Sequence, residues 1–531
     1  MRKSLLFFWI VFCLGNGILF AQSHKYERSG MTVLYTDYSD QYQDPVRRYF
    51  EYYQVSSRYD LNKLPLTRVS VKASRDHASR KGENVSYSTV SHADGILAYL
   101  NQSNVGLDLV AKMFNRQPDG TMDISLMEER GLYNATDEDY IQSVATKRGI
   151  DRLKDFGENL IAHSYITVID YQNVRYEYVE GWKSSGDYYW KGHAVGYLYQ
   201  IDWSLDLLNA VYNCWIMEDD TPEVAAQKRK NFEEIQVPFK LVLSSVASMS
   251  VNTEIERKKR ANEKVDVARQ KQLKQHELFQ EGTEKVFSNF EEQHERFQLK
   301  TGVYETHPVR AKIGEKEGLE KDMVFYVYEN VAKEDNTITQ KRIGVIAVTN
   351  EIADNKGVSR GNSELTRFYR MAGGRIEQGQ MLTEKKFYRM AIEVGAVTYG
   401  DASGFRLGLE ADSYAGRFAQ LFYALDASII GSSVNGGLRV GYGFRANNFQ
   451  LFPYVGANYG ALLEDVLFEG EEMIDAWFAN VGVKMNINIY FPIWLTVGAG
   501  YTLPVLIDPG FEYYGPNLEG IYLTAGLRYY F

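Results

Sequence analysis

Leu438-Arg439-Val440-Gly441-Tyr442-Gly443-Phe444-Arg445 is the stretch on which the fold turns. In an extended chain Leu438, Val440, Tyr442 and Phe444 share one side and Arg439, Gly441, Gly443 and Arg445 the other, because successive side chains of a strand point to opposite faces. The same period recurs in Tyr388–Ala396, Phe405–Asp412, Leu421–Ile429, Gln450–Gly460, Trp477–Asn488, Ile493–Thr502 and Ile521–Phe531, which brings the count to eight strands. Alternation alone fits both a soluble barrel with an apolar interior and a membrane barrel with an apolar exterior. Glycine separates them. Gly395, Gly408, Gly441, Gly443, Gly456, Gly460, Gly482, Gly498, Gly500 and Gly526 all fall on the polar side, and the interiors of these segments place none on the apolar side. A residue without a side chain gains nothing by facing water, but it relieves crowding inside a narrow barrel. The polar face is therefore read as the interior, and residues 386–531 as an eight-stranded antiparallel transmembrane β-barrel.

On this reading Arg389, Glu393, Arg406, Glu410, Asp412, Asp426, Arg439, Arg445, Lys484 and Arg528 all point inward. They are the candidate site, either an ion path or a set of paired charges filling a lumen too narrow for water flow, and the pairing is preferred. Tyr388, Trp477, Tyr490 and Tyr529 lie near segment ends, where interfacial aromatic girdles belong. The links at Ala415–Arg417, Asn447–Asn448 and Phe491–Pro492 are short, and those at Leu463–Ile474 and Val505–Gly520 long. Short and long links alternate as periplasmic turns and outer loops do, and an even strand number returns both barrel ends to the periplasmic side. The ending Thr524-Ala525-Gly526-Leu527-Arg528-Tyr529-Tyr530-Phe531 carries Thr524, Gly526, Tyr529 and Phe531 in the polar-x-Gly-x-x-aromatic-x-aromatic pattern that closes outer-membrane barrels. With that ending the C-terminal quarter resembles the small eight-stranded outer-membrane barrels of the OmpA-transmembrane and OmpX-like superfamily. The resemblance implies insertion into the outer membrane of a Gram-negative cell envelope by the barrel-assembly machinery.

The N-terminus has the charged, apolar and small-residue order of a secretory signal peptide: Met1-Arg2-Lys3, an apolar run from Leu5 to Phe20, then Ala21-Gln22. Cleavage is expected after residue 21, and bulky Phe12 before Cys13 argues against a lipoprotein signal. Cys214 then remains as a lone, inert thiol. No later stretch approaches the roughly 18 apolar residues of a transmembrane helix. The chain of 531 residues has a net charge of −10, from 59 Lys and Arg against 69 Asp and Glu, and so lacks the positive field that nucleic acid requires. Residues 22–250 read as a periplasmic α/β region, with helices over Ala93–Phe114, Asp137–Thr146 and Gly149–His163 and strands over Ser164–Tyr171, Ala194–Asp202 and Phe239–Leu243. Residues 251–299 read as a charged helical segment. Its basic island Arg257-Lys258-Lys259-Arg260 is taken as a solvated helix face in preference to a contact with lipid phosphates. Residues 300–384 read as a small β-rich module with strands in Val309–Lys312, Met323–Glu329 and Ile343–Val348.

Enzymatic motifs fail on context. Gly357-Val358-Ser359-Arg360-Gly361 matches a nucleophile elbow in letters, but polar Asn350–Lys356 stands where the apolar strand should be. Asn115–Gly120 begins like a calcium loop, yet its twelfth position is Leu126 rather than Glu. The last histidine is His307, so a histidine-dependent barrel hydrolase is excluded by composition. His163 is read as a packed or surface residue. No catalytic residue, metal or cofactor is expected. The chain reads as an outer-membrane-anchored structural or interaction protein whose barrel holds a large module for an unknown periplasmic partner. The alternative is a transport or secretion component, pore-forming or accessory.

Overall fold

The computed structural model describes residues 28–36, 42–70, 89–126, 159, 161–181, 185–217, 219–332, 338–355, 365–386, 388–400, 402–414, 419–446, 448–462 and 474–531. The expected signal peptide, the helix at Asp137–Thr146, most of the one at Gly149–His163 and the Gly357–Gly361 motif lie outside these residues. The chain divides into two units, one over Glu27–Gln298 and one that contains Leu299–Phe531.

The first unit is a mixed sheet between two helical layers. Its strands are β1 (Ser29–Thr36), β2 (Tyr59–Leu61), β3 (Arg68–Val69), β4 (Ser164–Val179), β5 (Asp187–Ile201) and β6 (Phe239–Asn252). Its helices are α1 (Gln43–Tyr52), α2 (Ala93–Gln102), α3 (Val105–Met113), α4 (Leu205–Asn213), α5 (Pro222–Glu234), α6 (Ile255–Arg260) and α7 (Val267–Gln293). The sheet runs β2-β1-β4-β5-β6 with β3 also on β1; β1 is parallel to β2, β3 and β4, and the β4–β5–β6 pairs are antiparallel. β4 is buried without a break from Ser164 to Gln172, as a strand covered on both faces must be. One face packs Leu34, Ile166, Val168, Tyr197 and Tyr199 against Ile96, Leu100, Leu109 and Met113 of α2 and α3. The other packs Tyr35, Tyr165, Tyr171 and Trp190 against Tyr49 of α1 and Leu278, Phe279, Val286 and Phe290 of α7.

Two expectations change here. The single helix over Ala93–Phe114 is two, because Asn104 adopts a left-handed conformation with φ 48° and its side chain ties the turn to Ile235 O and Val237 N. The charged segment 251–299 is no separate body. Its first two residues finish β6, and its long helix α7 buries an apolar stripe on the sheet. The basic island forms most of α6, where Arg257 pairs with Glu254 at 2.8 Å and Lys259 with Glu256 at 2.7 Å, while Arg260 donates to Gly186 O.

The second unit begins with a closed six-stranded barrel made of β7 (Lys300–Thr306), β8 (Val309–Ala311), β9 (Val324–Ala332), β10 (Ile338–Val348), β11 (Thr366–Gly373) and β12 (Met381–Lys385), in the order β10-β11-β8-β7-β12-β9. Phe325, Val327, Ile346, Val348, Phe368 and Leu382 fill it. The eight-stranded barrel follows: β13 (Met390–Tyr399), β14 (Ala402–Tyr414), β15 (Ala419–Ile430), β16 (Ser433–Ala446), β17 (Phe449–Leu462), β18 (Asp475–Tyr490), β19 (Ile493–Ile507) and β20 (Gly520–Tyr530), with a short helix α8 (Pro509–Tyr514) between the last two. Every strand pairs with its chain neighbour, and β13 pairs with β20 to close the ring.

The faces lie as the alternation requires. Phe405, Leu407, Leu425, Leu438, Tyr442, Phe444, Val455, Val481, Leu523 and Leu527 are exposed, and Arg406, Glu410, Arg439, Arg445, Lys484 and Arg528 are buried. This apolar exterior around a charged interior makes it a barrel of the membrane-spanning kind. Tyr388, Trp477, Tyr490 and Tyr529 are exposed. One detail departs from the glycine rule. β16 starts five residues before Leu438, and this extension carries Gly436 onto the outer face.

The charged lumen as candidate functional site

Three tiers of side chains fill the eight-stranded barrel. At the end where the chain enters, Arg389 donates to Asp412 at 2.6 Å, and Arg528 reaches the other Asp412 oxygen at 3.5 Å and Glu410 at 2.7 Å. Gln450 Oε1 accepts from Asn486 at 3.0 Å and Arg528 at 3.2 Å. In the middle tier Lys484 bridges the Glu393 and Glu410 carboxylates. Arg406 joins Glu393 at 3.2 Å to Asp426 at 2.6 Å, and Arg439 holds Asp426 from the opposite side. In the last tier the Tyr454 and Tyr522 hydroxyls meet at 2.5 Å, and Tyr399 stacks on Tyr522. Nine of the ten inward charges named from the sequence thus join ion pairs. Arg445 is buried with the rest, but it makes none among the described residues.

Both mouths are covered. Between β19 and β20, α8 folds inward so that Phe511 is buried beside Phe478, Leu518 and Tyr522. At the other mouth the six-stranded barrel packs Val324, Val345, Ala347, Met371 and Ala372 against Ala391, Phe491, Trp494 and Tyr530. Polar contacts fix that contact: Asp322 pairs with Arg389 at 2.5 Å, and Arg342 donates to Tyr490 Oη at 2.8 Å and Phe491 O at 2.9 Å. Tyr369 Oη accepts from Arg389 at 2.5 Å; burial pushes this phenol's pKa up to about 12, so it stays neutral and accepts as a hydroxyl. Between the middle and last tiers a recess of about 30 Å³ lies among Arg406, Asp426, Asn435, Arg439, Tyr454 and Asn480. That is room for one or two waters and not for a solute.

The C-terminal signature residues have separable places. Tyr529 and Phe531 face outward, while Thr524 is buried in the lumen. Gly526 sits opposite Gly395 across the closing seam, where a Cβ on Gly526 would come within 2.5 Å of Val394 O and 2.9 Å of Gly395 Cα. The seam strands are too close for a side chain on either residue.

In the first unit, Asp170 is fully buried and accepts from Thr36 at 2.7 Å and Gln172 at 2.6 Å, with His92 Nδ1 at 2.8 Å. These bonds tie the approach to α2 onto β4. His163 Nδ1 lies 2.8 Å from Asn159 O, a local turn contact. Cys214 is buried and unbridged, and burial pushes its thiol pKa up, away from reactivity.

Sequence reading missed Asp322, Tyr369, Trp494 and Phe511 as contributors. Trp494 was within reach, since it stands two residues before Thr496 on the inward side of its strand. The other three come from segments whose docking no local pattern announces.

No protein-family model matches the chain, and no curated protein matches it. Among solved structures, the outer membrane protein Ail of Yersinia pestis, in a phospholipid bilayer nanodisc, aligns with 27% of this chain and 98% of its own, at 15% identity and a TM-score of 0.19. A loop L8 deletion mutant of OmpT, an outer membrane protein of Vibrio cholerae, aligns with 69% of this chain and 99% of its own, at 9% identity and a TM-score of 0.14.

Proposed function

We propose that this chain is an outer-membrane-anchored structural or interaction protein. Its eight-stranded barrel, similar to the OmpA-transmembrane and OmpX-like barrels, holds a periplasmic α/β unit at the membrane. The observation that carries this is the lumen, which is filled by ion pairs and closed at both mouths, inside a wall that is apolar outside. Such a barrel offers lipid a surface and offers solutes no path. Its partners are outer-membrane lipid, the barrel-assembly machinery that would read the Thr524–Phe531 ending, and an unknown periplasmic partner of residues 22–384. The role is non-catalytic and needs no cofactor. Cell fractionation tests it. The full chain should sediment with outer membranes, and a chain stopped after Gln298, at the boundary between the units, should be recovered in the soluble periplasm. Recovery of the full chain in the soluble fraction, or retention of the shortened chain on the membrane, would refute the anchoring role.

A further inference from the structure

Arg445 is the exception in the lumen. It is 5% exposed, and its Nε, Nη1 and Nη2 have no hydrogen-bond acceptor among the described residues. The aromatic faces of Trp494 and Tyr369, with centroids 5.7 and 6.0 Å from Cζ, soften its desolvation but accept none of its N–H groups in line. An unpaired buried guanidinium is among the costliest groups a fold can carry.

Its neighbours share its deficit. Trp494 is fully buried, and its Nε1, which can only donate, is unpaired. Gln450, the cross-strand partner of Arg445, is also fully buried; its Oε1 is used by Asn486 and Arg528, and its Nε2 has no acceptor. Three side chains at the base of one lumen therefore present donors only. Of the acceptors in this tier, Asp412 is already shared by Arg389 and Arg528, and Gln420 Oε1, buried beside Asp412, is neutral and makes no hydrogen bond with the three.

We propose that Arg445, Trp494 and Gln450 hold one small monovalent anion of the halide class. Charge fixes the valence. The six inward cations outnumber the four lumen carboxylates and Asp322 of the small barrel by one, and Arg445 is the cation outside every ion pair among the described residues. Water does not answer this need, because it brings no charge and leaves the surplus of one in place. Enclosure limits the size: the six-stranded barrel packs below the site and the Lys484 tier lies above it, which favours a small ion over a bulky oxyanion or a lipid phosphate. The anion completes the base of the barrel as a structural ion.

The test uses the full chain, purified in detergent and dialysed into sodium gluconate. Replacing gluconate with bromide at constant sodium should raise the temperature at which the folded, fast-migrating form is lost. Bromide at about ten times its Kd should shift the folded-to-unfolded ratio about tenfold. Crystals grown in bromide should give an anomalous peak within hydrogen-bond reach of Arg445 and Trp494 Nε1. Arg445→Met should abolish the bromide effect. Gln450→Glu places a tethered carboxylate in the same spot while keeping the Oε1 acceptor, so it should be more stable than wild type in gluconate and indifferent to bromide. If Arg445→Met does not assemble, the Gln450→Glu comparison still decides. A wild-type protein with no bromide-dependent stabilisation, a Gln450→Glu variant that responds like wild type, or crystals without the peak would overturn the proposal.

Discussion

Val440 and Gly441 are chain neighbours that face opposite solvents, and substitutions at them separate an inside-out barrel from a soluble one. Val440 is 39% exposed on the apolar wall, so Val440→Arg should cost about 2–4 kcal/mol near the midplane and prevent assembly. Gly441 faces the lumen. A Cβ there would sit 2.7 Å from Pro453 O, 3.1 Å from Tyr454 Cβ and 3.3 Å from Phe422 Cδ1, so Gly441→Leu should cost about 1–3 kcal/mol through overpacking. The alternation shows that this position is inward and crowded, but not by which groups, since cross-strand partners are not visible in a strand pattern. The readout is the fraction of heat-modifiable protein in detergent gels; normal assembly of Gly441→Leu would reverse the faces. Lys484 supplies a second test at this scale. Lys484→Met removes the cation that bridges Glu393 and Glu410 and leaves two buried carboxylates side by side, a loss of about 3–5 kcal/mol in urea unfolding. An unchanged midpoint would mean that the lumen charges are solvated.

Elements were legible where the period was long and unbroken. The eight barrel strands are sequential hairpins, so each could be read alone and paired with the next. The six-stranded barrel was only a set of strand signals, because β8 has three residues and β12 returns to pair with β7 and β9 across long connections. The split of the first helix turned on one residue, Asn104, whose left-handed backbone depends on contacts to the segment around Ile235 and Val237. The strands β4, β5 and β6 run well beyond their apolar cores, as far as Val179 and Asn252, as paired ribbons whose outer residues are partly solvated and so lose the buried-strand signature. At the end of α7, burial against Tyr165 and Phe297 pulls the His294 pKa below its ordinary value. The unfolded chain therefore binds a proton that the folded unit resists. The stability it contributes is present above about pH 6.5 and declines as pH falls through that value. Unfolding of the first unit, followed by tyrosine fluorescence from pH 7.5 to 5.5, should show that decline, and His294→Gln should flatten it. An equal slope in the variant would place the proton elsewhere.

For the whole molecule, the sequence was enough to place an eight-stranded barrel at the C-terminal end and a mixed α/β body before it. It did not show how the lumen closes, because both closures are tertiary. Phe511 lies in a stretch that reads as an outer loop, and Asp322 and Tyr369 lie in a module with no visible tie to the barrel. Those closures separate an anchor from a passage. The most direct measurement is the conductance of the purified full chain in planar lipid bilayers, with insertion verified by heat-modifiable migration of the same sample. A filled lumen with covered mouths predicts a bilayer that stays electrically silent at all holding potentials the membrane tolerates. Stable, repeated single-channel steps proportional to voltage would contradict it and make the barrel a conduit.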